Sequence, residues 1–230
     1  MKFSCRLFLI VWTFAIVFAP YATVCAENDI KLPKPSLSGK LSVEAAMVAK
    51  KSVRNFSSSP LTEAQVSQLL WAANGNVPPD AVTGATTKVI PSAGGLYPLE
   101  VYLVTGKDTV GKVPAGVYKY TPESNSLQSV TPGDNRNLLA HAALSQMWMA
   151  KAPALIVIGG VFPRTTAKYG NRGLQYIFME VGSAIQNLFL EAESLGIHAG
   201  AVGAFQDAQV SGVLKLPPNV TPLFIMAFGK

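Results

Sequence analysis

The chain has 230 residues, and its 19 Lys and Arg outnumber 13 Asp and Glu to give a formal charge of +6 at neutral pH. The cations form no long run, which argues against a nucleic-acid-binding surface. The two histidines, His141 and His198, have no partner at metal-ligand spacing, so we expect no metal site. This length suffices for one domain that needs neither a metal nor a disulfide for stability.

The first residues are typical of an export signal. Two cations precede an uncharged stretch over residues 7–19 that is apolar except for Thr13 and is shorter than the roughly 18 to 20 residues of a membrane-spanning helix. Ala26 suits cleavage after it. We therefore expect a signal peptide at residues 1–26 and a secreted, periplasmic mature chain without stable membrane insertion. A lipoprotein anchored at Cys25 and an uncleaved membrane anchor remain alternatives. Cleavage would remove both cysteines and leave no thiol.

The next segments predict an arm, two helices and a loop. We expect residues 27–41, rich in Pro, Ser and Lys, to form a flexible arm, and residues 42–230 to form one domain. Ser42 can cap a helix, and Thr62 with Gln65 forms a capping box for another. The small and polar residues from 80 to 95 predict an extended loop. The expected inward faces of the two helices are Val43, Ala46 and Met47, and then Val66, Leu69, Leu70 and Ala73.

The second half alternates strands and helices irregularly. Alternating apolar residues predict a strand at 99–104 and a hairpin formed by 116–120 and 127–130, and a continuous apolar run predicts a fully buried strand at 154–160. Apolar residues at steps of three and four predict a long helix from 171 to 195 with Gly196 as its C-cap. Further predictions are a helix at 135–149 capped by Asp134, a helix at 208–214 and a strand at 222–228. The fold class is therefore α+β, with a mixed or antiparallel sheet flanked by helices.

Two short segments are candidates for ligand binding. The loop residues Pro91, Ser92, Ala93 and Gly94 carry no side chain that would keep their amides from a flat or anionic ligand, although a plain surface turn has the same composition. The second segment, residues 50–54, places three cations and a hydroxyl within a few residues. This pattern fits a phosphate-binding site or a helix end whose dipole favours cations.

Four stretches together resemble the nitroreductase family of flavoproteins in their order and spacing. They are "KKSVRNF" at 50–56, "PSAGGLYPLEVYLV" at 91–104, "KYGNRGLQYIFMEVGSAIQNLFLEAESLG" at 168–196 and "AVGAFQDAQVSGVLKLP" at 201–217. Within the family the chain is similar to the SagB-type branch, the thiazole/oxazole-forming (azoline) dehydrogenases. The resemblance runs from about Val43 to the C-terminus. It implies an α+β sandwich that forms an intertwined homodimer with FMN at the subunit interface.

The resemblance also implies roles for individual residues. Lys50, Lys51, Ser52 and Arg54 would hold the FMN phosphate and pyrimidine edge, and Pro91, Ser92, Ala93 and Gly94 would reach the isoalloxazine of the partner subunit's FMN. Gly203 and Ala204 would approach the flavin N5 region with backbone amides, and Lys230 would lie near the phosphate.

A Lys-Tyr pair acts as the base in azoline dehydrogenases, and Lys168 and Tyr169 match it. A lysine whose pKa is lowered by burial, beside a tyrosine, can share this proton transfer, although the same dipeptide also occurs on solvated surfaces. Two positions depart from the branch, since Gln175 replaces a usual arginine and Ser183 replaces a frequent histidine. The resemblance therefore implies an FMN-dependent oxidoreductase with ping-pong hydride transfer on a small-molecule or peptide-derived substrate. The alternative is an exported flavin-binding or small-molecule-binding protein of the same fold without turnover.

Overall fold

A computed structural model describes residues 29–79, 84 and 86–230 of the chain. The predicted signal peptide lies outside the described residues. Within them the chain forms seven strands and six α-helices. In chain order these are β1 Ile30–Lys31, α1 Val43–Ala49, α2 Glu63–Asn74, β2 Leu99–Thr105, β3 Gly116–Thr121, β4 Ser126–Pro132, α3 Arg136–Ala142, β5 Ala154–Gly160, α4 Phe162–Tyr169, α5 Arg172–Ser194, β6 His198–Val202, α6 Asp207–Leu214 and β7 Thr221–Gly229.

One seven-stranded sheet organises the fold. Its strand order is β1-β4-β3-β2-β5-β7-β6, and all of these neighbours pair antiparallel. The α+β prediction is therefore confirmed, and the sheet is antiparallel rather than mixed. The interior strand β5 is buried along its whole length, as its continuous apolar run predicts.

Successive residues of β5 face two separate apolar layers. Ile156 and Ile158 belong to the layer beneath α2 and α5, while Leu155 and Val157 belong to the layer that includes α3 and α6. This alternation follows from the two-residue period of a strand. The long helix α5 thus covers one face of the sheet, and the residues on its other side are available for a site or an interface.

Several local predictions are confirmed. Ser42 Oγ accepts a hydrogen bond from the Ala45 amide at the start of α1, and the capping box of Thr62 and Gln65 opens α2. The hairpin β3-β4 and the bounds of α5 agree with their patterns to within a few residues. Gly196 follows α5 with a φ of 66°, as a helix-terminating glycine requires.

Other local predictions need correction. The helix predicted over residues 135–149 ends at Ala142, because Leu144 and Ser145 both adopt positive φ. On α1 only Ala46 is buried, so the expected inward residues Val43 and Met47 face outwards in the single chain. The pattern missed α4, which buries only Thr165, and it missed β6, whose short run of small residues carries no alternation.

The first part of the predicted arm is docked onto the domain, in contrast to the free arm that composition suggested. Ile30 and Lys31 pair with Leu127 and Ser126 of β4, and Leu32 is buried in the core. Backbone pairing and one apolar anchor therefore offset the entropy that a polar, proline-rich segment loses on ordering. None of the helices in the described part of the chain is long and apolar enough to cross a membrane.

We predict that Leu32→Ala lowers the free energy of unfolding by about 2 kcal/mol or more, because it empties a buried site. The matched control is Leu37→Ala in the same segment. Leu37 is 66% exposed, so this substitution should lower the free energy of unfolding by less than about 0.5 kcal/mol. Urea denaturation of both variants measures the difference. Equal small losses would show that the segment does not dock.

Candidate functional site

Residues 91–97, which we call the small-residue loop, form a tight irregular turn at the entrance to β2. Ala93–Gly95 make a single 3₁₀ turn, and Gly94 and Gly95 have φ values of 64° and 66°. The Ser92 hydroxyl accepts a hydrogen bond from the Tyr97 amide at 2.9 Å, which closes the turn. The glycines supply the left-handed backbone that this course requires.

The small-residue loop is attached to α5 by one carboxylate. Glu180 Oε1 accepts hydrogen bonds from Ser92 Oγ at 2.9 Å and from the Ala93 amide at 3.0 Å. Glu180 is 4% exposed, and its Oε2 has no hydrogen-bond partner among the described residues. Burial raises the pKa of Glu180, and the two hydrogen bonds oppose this shift. The carboxyl group therefore fixes the loop through one oxygen, and its other oxygen makes no hydrogen bond in the described part of the chain.

The structure brings Lys168 and Tyr169 against the small-residue loop. A Cβ atom built on Gly94 would lie 2.7 Å from Tyr169 Oη and 3.1 Å from Lys168 Nζ. Lys168 Nζ lies 5.3 Å from the centroid of the Tyr169 ring. The candidate base pair and the candidate flavin loop, more than 70 positions apart in sequence, thus form one local group. Lys168 is exposed in the single chain, so its own chain does not provide the burial expected of a catalytic lysine.

A groove of about 310 Å³ runs beside the small-residue loop. Its walls are Pro91, Ser92 and Ala93 on one side and the outward face of α5 on the other, including Tyr176 and Ser183. Tyr176 packs edge-to-face on Tyr169 with ring centroids 5.2 Å apart. Ser183, one of the two departures from the family branch, therefore lines the groove. Gln175, the other departure, is exposed and accepts a hydrogen bond from Arg172.

The basic segment, residues 50–54, lies at the edge of the sheet beside β6. Ser52 forms a parallel bridge with Ala199, and the Val53 amide donates to the Ala199 carbonyl at 2.9 Å. Lys50 Nζ lies over the Phe189 ring at 5.0 Å, and the Arg54 guanidinium lies over the Trp148 ring at 5.7 Å. Lys51, Ser52 and Arg54 are exposed, so their polar groups are available to an anion.

The remaining predicted residues lie at the two ends of β6, with Lys230 beside its first residue and Gly203 and Ala204 after its last. Gly203 and Ala204 follow β6 in an exposed turn, where the Ala204 carbonyl accepts a hydrogen bond from Gln146 Nε2 at 3.1 Å. The Lys230 carbonyl accepts from the Ser57 amide at 2.6 Å. The structure therefore places the basic segment and Lys230 beside the start of β6, whereas Gly203 and Ala204 lie at its other end.

The two groups do not meet within one chain. The small-residue loop contacts α5 at Glu180, whereas the basic segment contacts it at Phe189. Nine residues of α-helix correspond to about 14 Å along the axis and to a rotation of about 180°. The two groups consequently lie on opposite faces of α5, and one chain presents two half-sites that face in different directions.

Sequence reasoning identified the loop, the basic segment and the Lys-Tyr pair, but it assigned no site role to Tyr176, Glu180 or Trp148. A signal for Glu180 was present, because a carboxylate between the apolar neighbours Met179 and Val181 needs a hydrogen-bond partner once it is buried. Trp148 gave no signal, since its part of the chain was predicted to be helical. Across residues 29–79, 84 and 86–230, no three His, Cys, Asp or Glu side chains cluster closely enough to hold a metal ion.

Comparison with known proteins identifies the family. The sequence model described as "Nitroreductase family" matches residues 47–230. The chain belongs to the nitroreductase family. It is 41% identical over 202 residues to MJ1384 of Methanocaldococcus jannaschii, whose name assigns it provisionally to the nitroreductases, and the match covers 88% of this chain and 96% of that one.

A second relative is more distant. The Microcin B17-processing protein McbC of Escherichia coli is 30% identical over 152 residues, which cover 64% of this chain and 55% of McbC. This chain therefore matches little more than half of the length of McbC. The structure of the Escherichia coli microcin synthetase McbBCD complex with truncated pro-MccB17 contains a chain that matches with a TM-score of 0.66 and 26% identity, over 95% of this chain and 84% of that one.

Two further solved structures share the fold. A nitroreductase-like protein of Ralstonia eutropha matches with a TM-score of 0.72 and 24% identity over 90% of both chains. The NADPH:FMN oxidoreductase of Vibrio harveyi matches with a TM-score of 0.56 and 21% identity over 81% of this chain and 67% of that one. The nitroreductase-like α+β fold implied by the sequence resemblance is thus confirmed.

We predict that Gly94→Ala is more destabilising than Gly95→Ala. Both positions have φ near 65°, so each substitution costs about 1 kcal/mol of backbone strain. A Cβ at Gly95 has no neighbour within 4 Å, whereas one at Gly94 collides with Tyr169 Oη, which adds about 1 to 2 kcal/mol. Urea denaturation measures both losses. Combining Gly94→Ala with Tyr169→Phe should recover part of the difference, and identical losses at the two glycines would contradict the close contact.

We predict that Glu180→Gln removes a pH-dependent loss of stability. Because burial raises the pKa of Glu180 in the folded chain, stability falls as pH rises from the unfolded value near 4.3 through the higher folded value. The substituted amide still offers an oxygen to Ser92 and Ala93 but does not ionise. The free energy of unfolding of the variant should therefore rise relative to the wild type between pH 4 and the folded pKa. A difference that is constant with pH would rule out this role for the carboxyl group.

Proposed function

We propose that this nitroreductase-family oxidoreductase depends on FMN and acts as a dehydrogenase with Lys168 and Tyr169 at its reacting centre. The observation that carries the proposal is the contact of both side chains with Gly94 of the small-residue loop. The small-residue loop could present its backbone to a flat ring. The Lys-Tyr pair, which can transfer a proton, lies directly beside this loop. The family resemblance implies both roles for these residues.

The donor set fits FMN. Lys50, Lys51, Ser52 and Arg54 offer two ammonium groups, a hydroxyl and a guanidinium fork, which suit a phosphate. The groove beside the small-residue loop is mostly apolar, as the face of a flat ring requires, and Glu180 Oε2 at its wall has no hydrogen-bond partner among the described residues. When bound, FMN would supply two-electron redox chemistry. The relative from Vibrio harveyi is named for FMN, which supports this choice of cofactor.

We propose that a second copy of the chain completes each site. The two half-sites lie on opposite faces of α5, so the loop of one subunit would complete the basic segment of the other. Apolar residues remain on the surface near α5 in the single chain, with exposed fractions of 58% at Val43, 54% at Met47 and 58% at Met179. An exposed apolar surface of this kind is typical of an interface. The homodimer is thus the arrangement that uses both half-sites.

For the substrate we propose a peptide-derived azoline. The support is the similarity to McbC and the presence of pro-MccB17 in the McbBCD structure, together with the Lys-Tyr pair. Oxidation of an azoline removes one hydride equivalent and one proton. Lys168 and Tyr169 would hold and move that proton, while Tyr176, packed on Tyr169, would fix the phenol ring. Turnover would be ping-pong, and a separate electron acceptor would complete each cycle.

We also propose that the enzyme works outside the cytoplasm, on the strength of the signal-like residues 1–26. The nicotinamide pool is cytoplasmic, so an exported enzyme would favour dehydrogenation over NAD(P)H-driven reduction.

A complementation experiment tests the cofactor and the composite site together. Arg54→Gln should reduce the FMN retained on purification at least tenfold through loss of the phosphate contacts, and Ala93→Trp should do the same by filling the groove. Co-expression of the two variants with different tags should yield mixed dimers with one intact site. Absorption in the flavin bands, bleached by dithionite, should then reach half of the wild-type level.

The outcomes of this experiment are distinct. Lys107→Met, an exposed change in a turn away from both half-sites, should leave FMN unchanged. Mixed dimers without FMN would show that both half-sites come from one subunit. A wild-type protein that is colourless and takes up no added FMN would contradict the proposed cofactor and favour a binding protein without turnover.

We predict that the double substitution Lys168→Ala with Tyr169→Phe abolishes dehydrogenation and keeps FMN, because the pair handles the substrate proton and not the cofactor phosphate. The probe is a synthetic thiazoline peptide, whose conversion to the thiazole lowers its mass by two hydrogen atoms, with ferricyanide as the electron acceptor. The rate should fall at least a hundredfold, within the range for loss of a general base. Unchanged turnover by the double variant would exclude the pair as the base.

A further inference from the structure

A separate polar pocket of about 180 Å³ lies between the end of α2, the sheet and α4. The residues that matter to its chemistry are Asn74, Lys88, Glu100, Lys119 and Arg164, and we call it the cationic pocket. None of these residues belongs to the two half-sites assigned to FMN. The pocket is close to the small-residue loop nevertheless, because Arg164 Nη1 donates to the Tyr97 carbonyl at 3.1 Å.

The buried carboxylate of the cationic pocket is already saturated by cations. Glu100 is 8% exposed, its Oε2 lies 2.6 Å from Lys119 Nζ, and its Oε1 lies 2.5 Å from Arg164 Nη2. Both cations lower the pKa of Glu100 against the opposing effect of burial. Glu100 thus holds Lys119 and Arg164 in position and leaves them with an excess positive charge.

Lys88 adds a third cation, which forms no ion pair with any residue that the structure describes, although Glu123 and Glu100 act on it at longer range. Its Nζ lies 5.5 Å from the Tyr97 ring, and no hydrogen bond or ion pair of this ammonium group occurs in the described part of the chain. Burial lowers the pKa of Lys88, and the charges of Glu123 and Glu100 oppose this shift. Among the described residues that line the pocket, Glu123 is the one other carboxylate, and it is exposed, so these residues place three cations against two carboxylates. An anionic ligand group would satisfy Lys88.

Asn74 requires a second type of ligand group. Its side chain is 3% exposed, and its Nδ2 donates to the Leu99 carbonyl at 3.1 Å, which fixes the amide orientation. The remaining Oδ1 atom is buried without a hydrogen-bond partner among the described residues. Buried acceptors of this kind are nearly always satisfied in folded proteins. The ligand should therefore carry a hydrogen-bond donor as well as an anion.

We propose that the cationic pocket binds an α-amino or α-acylamino carboxylate of about one residue in size. Its carboxylate would contact Lys88 and Lys119, and its N–H would donate to Asn74 Oδ1. The volume is below the roughly 300 Å³ at which pockets for larger ligands begin, which limits the ligand to this size. The source is either a free amino acid or the C-terminal residue of a peptide. The site is independent of the redox function proposed above.

Isothermal titration of the full mature protein tests the site with two probes, glycine for the free amino acid and N-acetylglycine for a peptide C-terminus. Acetoxyacetate replaces the N–H of N-acetylglycine with oxygen, and N-acetylglycinamide lacks the carboxylate. We expect at least one of the two probes to bind. Lys88→Met should weaken that binding tenfold or more, because it removes a charge-assisted contact. Lys107→Met is the matched control and should bind as the wild type does. If N-acetylglycine binds, both of its analogues should bind at least tenfold more weakly.

Each result has one meaning. Lys88-dependent binding of N-acetylglycine supports a peptide C-terminus, and Lys88-dependent binding of glycine alone supports a free amino acid. The proposal is overturned if neither probe binds at concentrations of about 10 mM, if Lys88→Met binds as tightly as wild type, or if acetoxyacetate matches N-acetylglycine. FMN content measured on the same samples reports on the redox proposal separately, and Lys88→Met should retain it.

Discussion

The geometry of the candidate site depends on one buried carboxylate in the middle of α5. Glu180 accepts from Ser92 and Ala93, and these two hydrogen bonds join the turn and its small side chains to α5. A loop of small residues has little apolar surface with which to fix itself, so a polar anchor must do so. The groove, the contact with Lys168 and Tyr169, and the entrance to β2 all follow from this attachment.

The same helix also separates the two groups of residues that the proposed FMN site requires. Contacts at Glu180 and Phe189 place the small-residue loop and the basic segment on opposite faces of α5. The sheet places them apart as well, because β5 and β7 lie between β2 and β6, a spacing of about 14 Å. A rigid separation of this kind is useful in a symmetric assembly, where each copy offers one half to its neighbour and receives the other.

Much of this structure could be predicted from the residues. The continuous apolar run of β5, the period of α5 and the caps at Ser42 and Thr62 are strong local signals, and the structure agrees with them. The contact between Gly94 and Lys168 could not be derived from spacing, because it depends on how α4 follows β5 across the sheet. The end of α3 at Ala142 also lacked a signal, since Leu144 and Ser145 are not residues that usually adopt positive φ. Glu180 was visible only as a carboxylate in need of a partner.

The two glycines of the small-residue loop differ in the substitutions that their positions can tolerate during evolution. Gly95 meets only the demand for left-handed backbone, and asparagine, which tolerates that conformation, is an acceptable replacement. Gly94 meets the same demand and also faces the Tyr169 hydroxyl across a gap too small for a methyl group. Positions 94 and 169 should therefore vary together among relatives. A side chain at the first position becomes possible only where the second has lost its phenol, and with it the proposed chemistry.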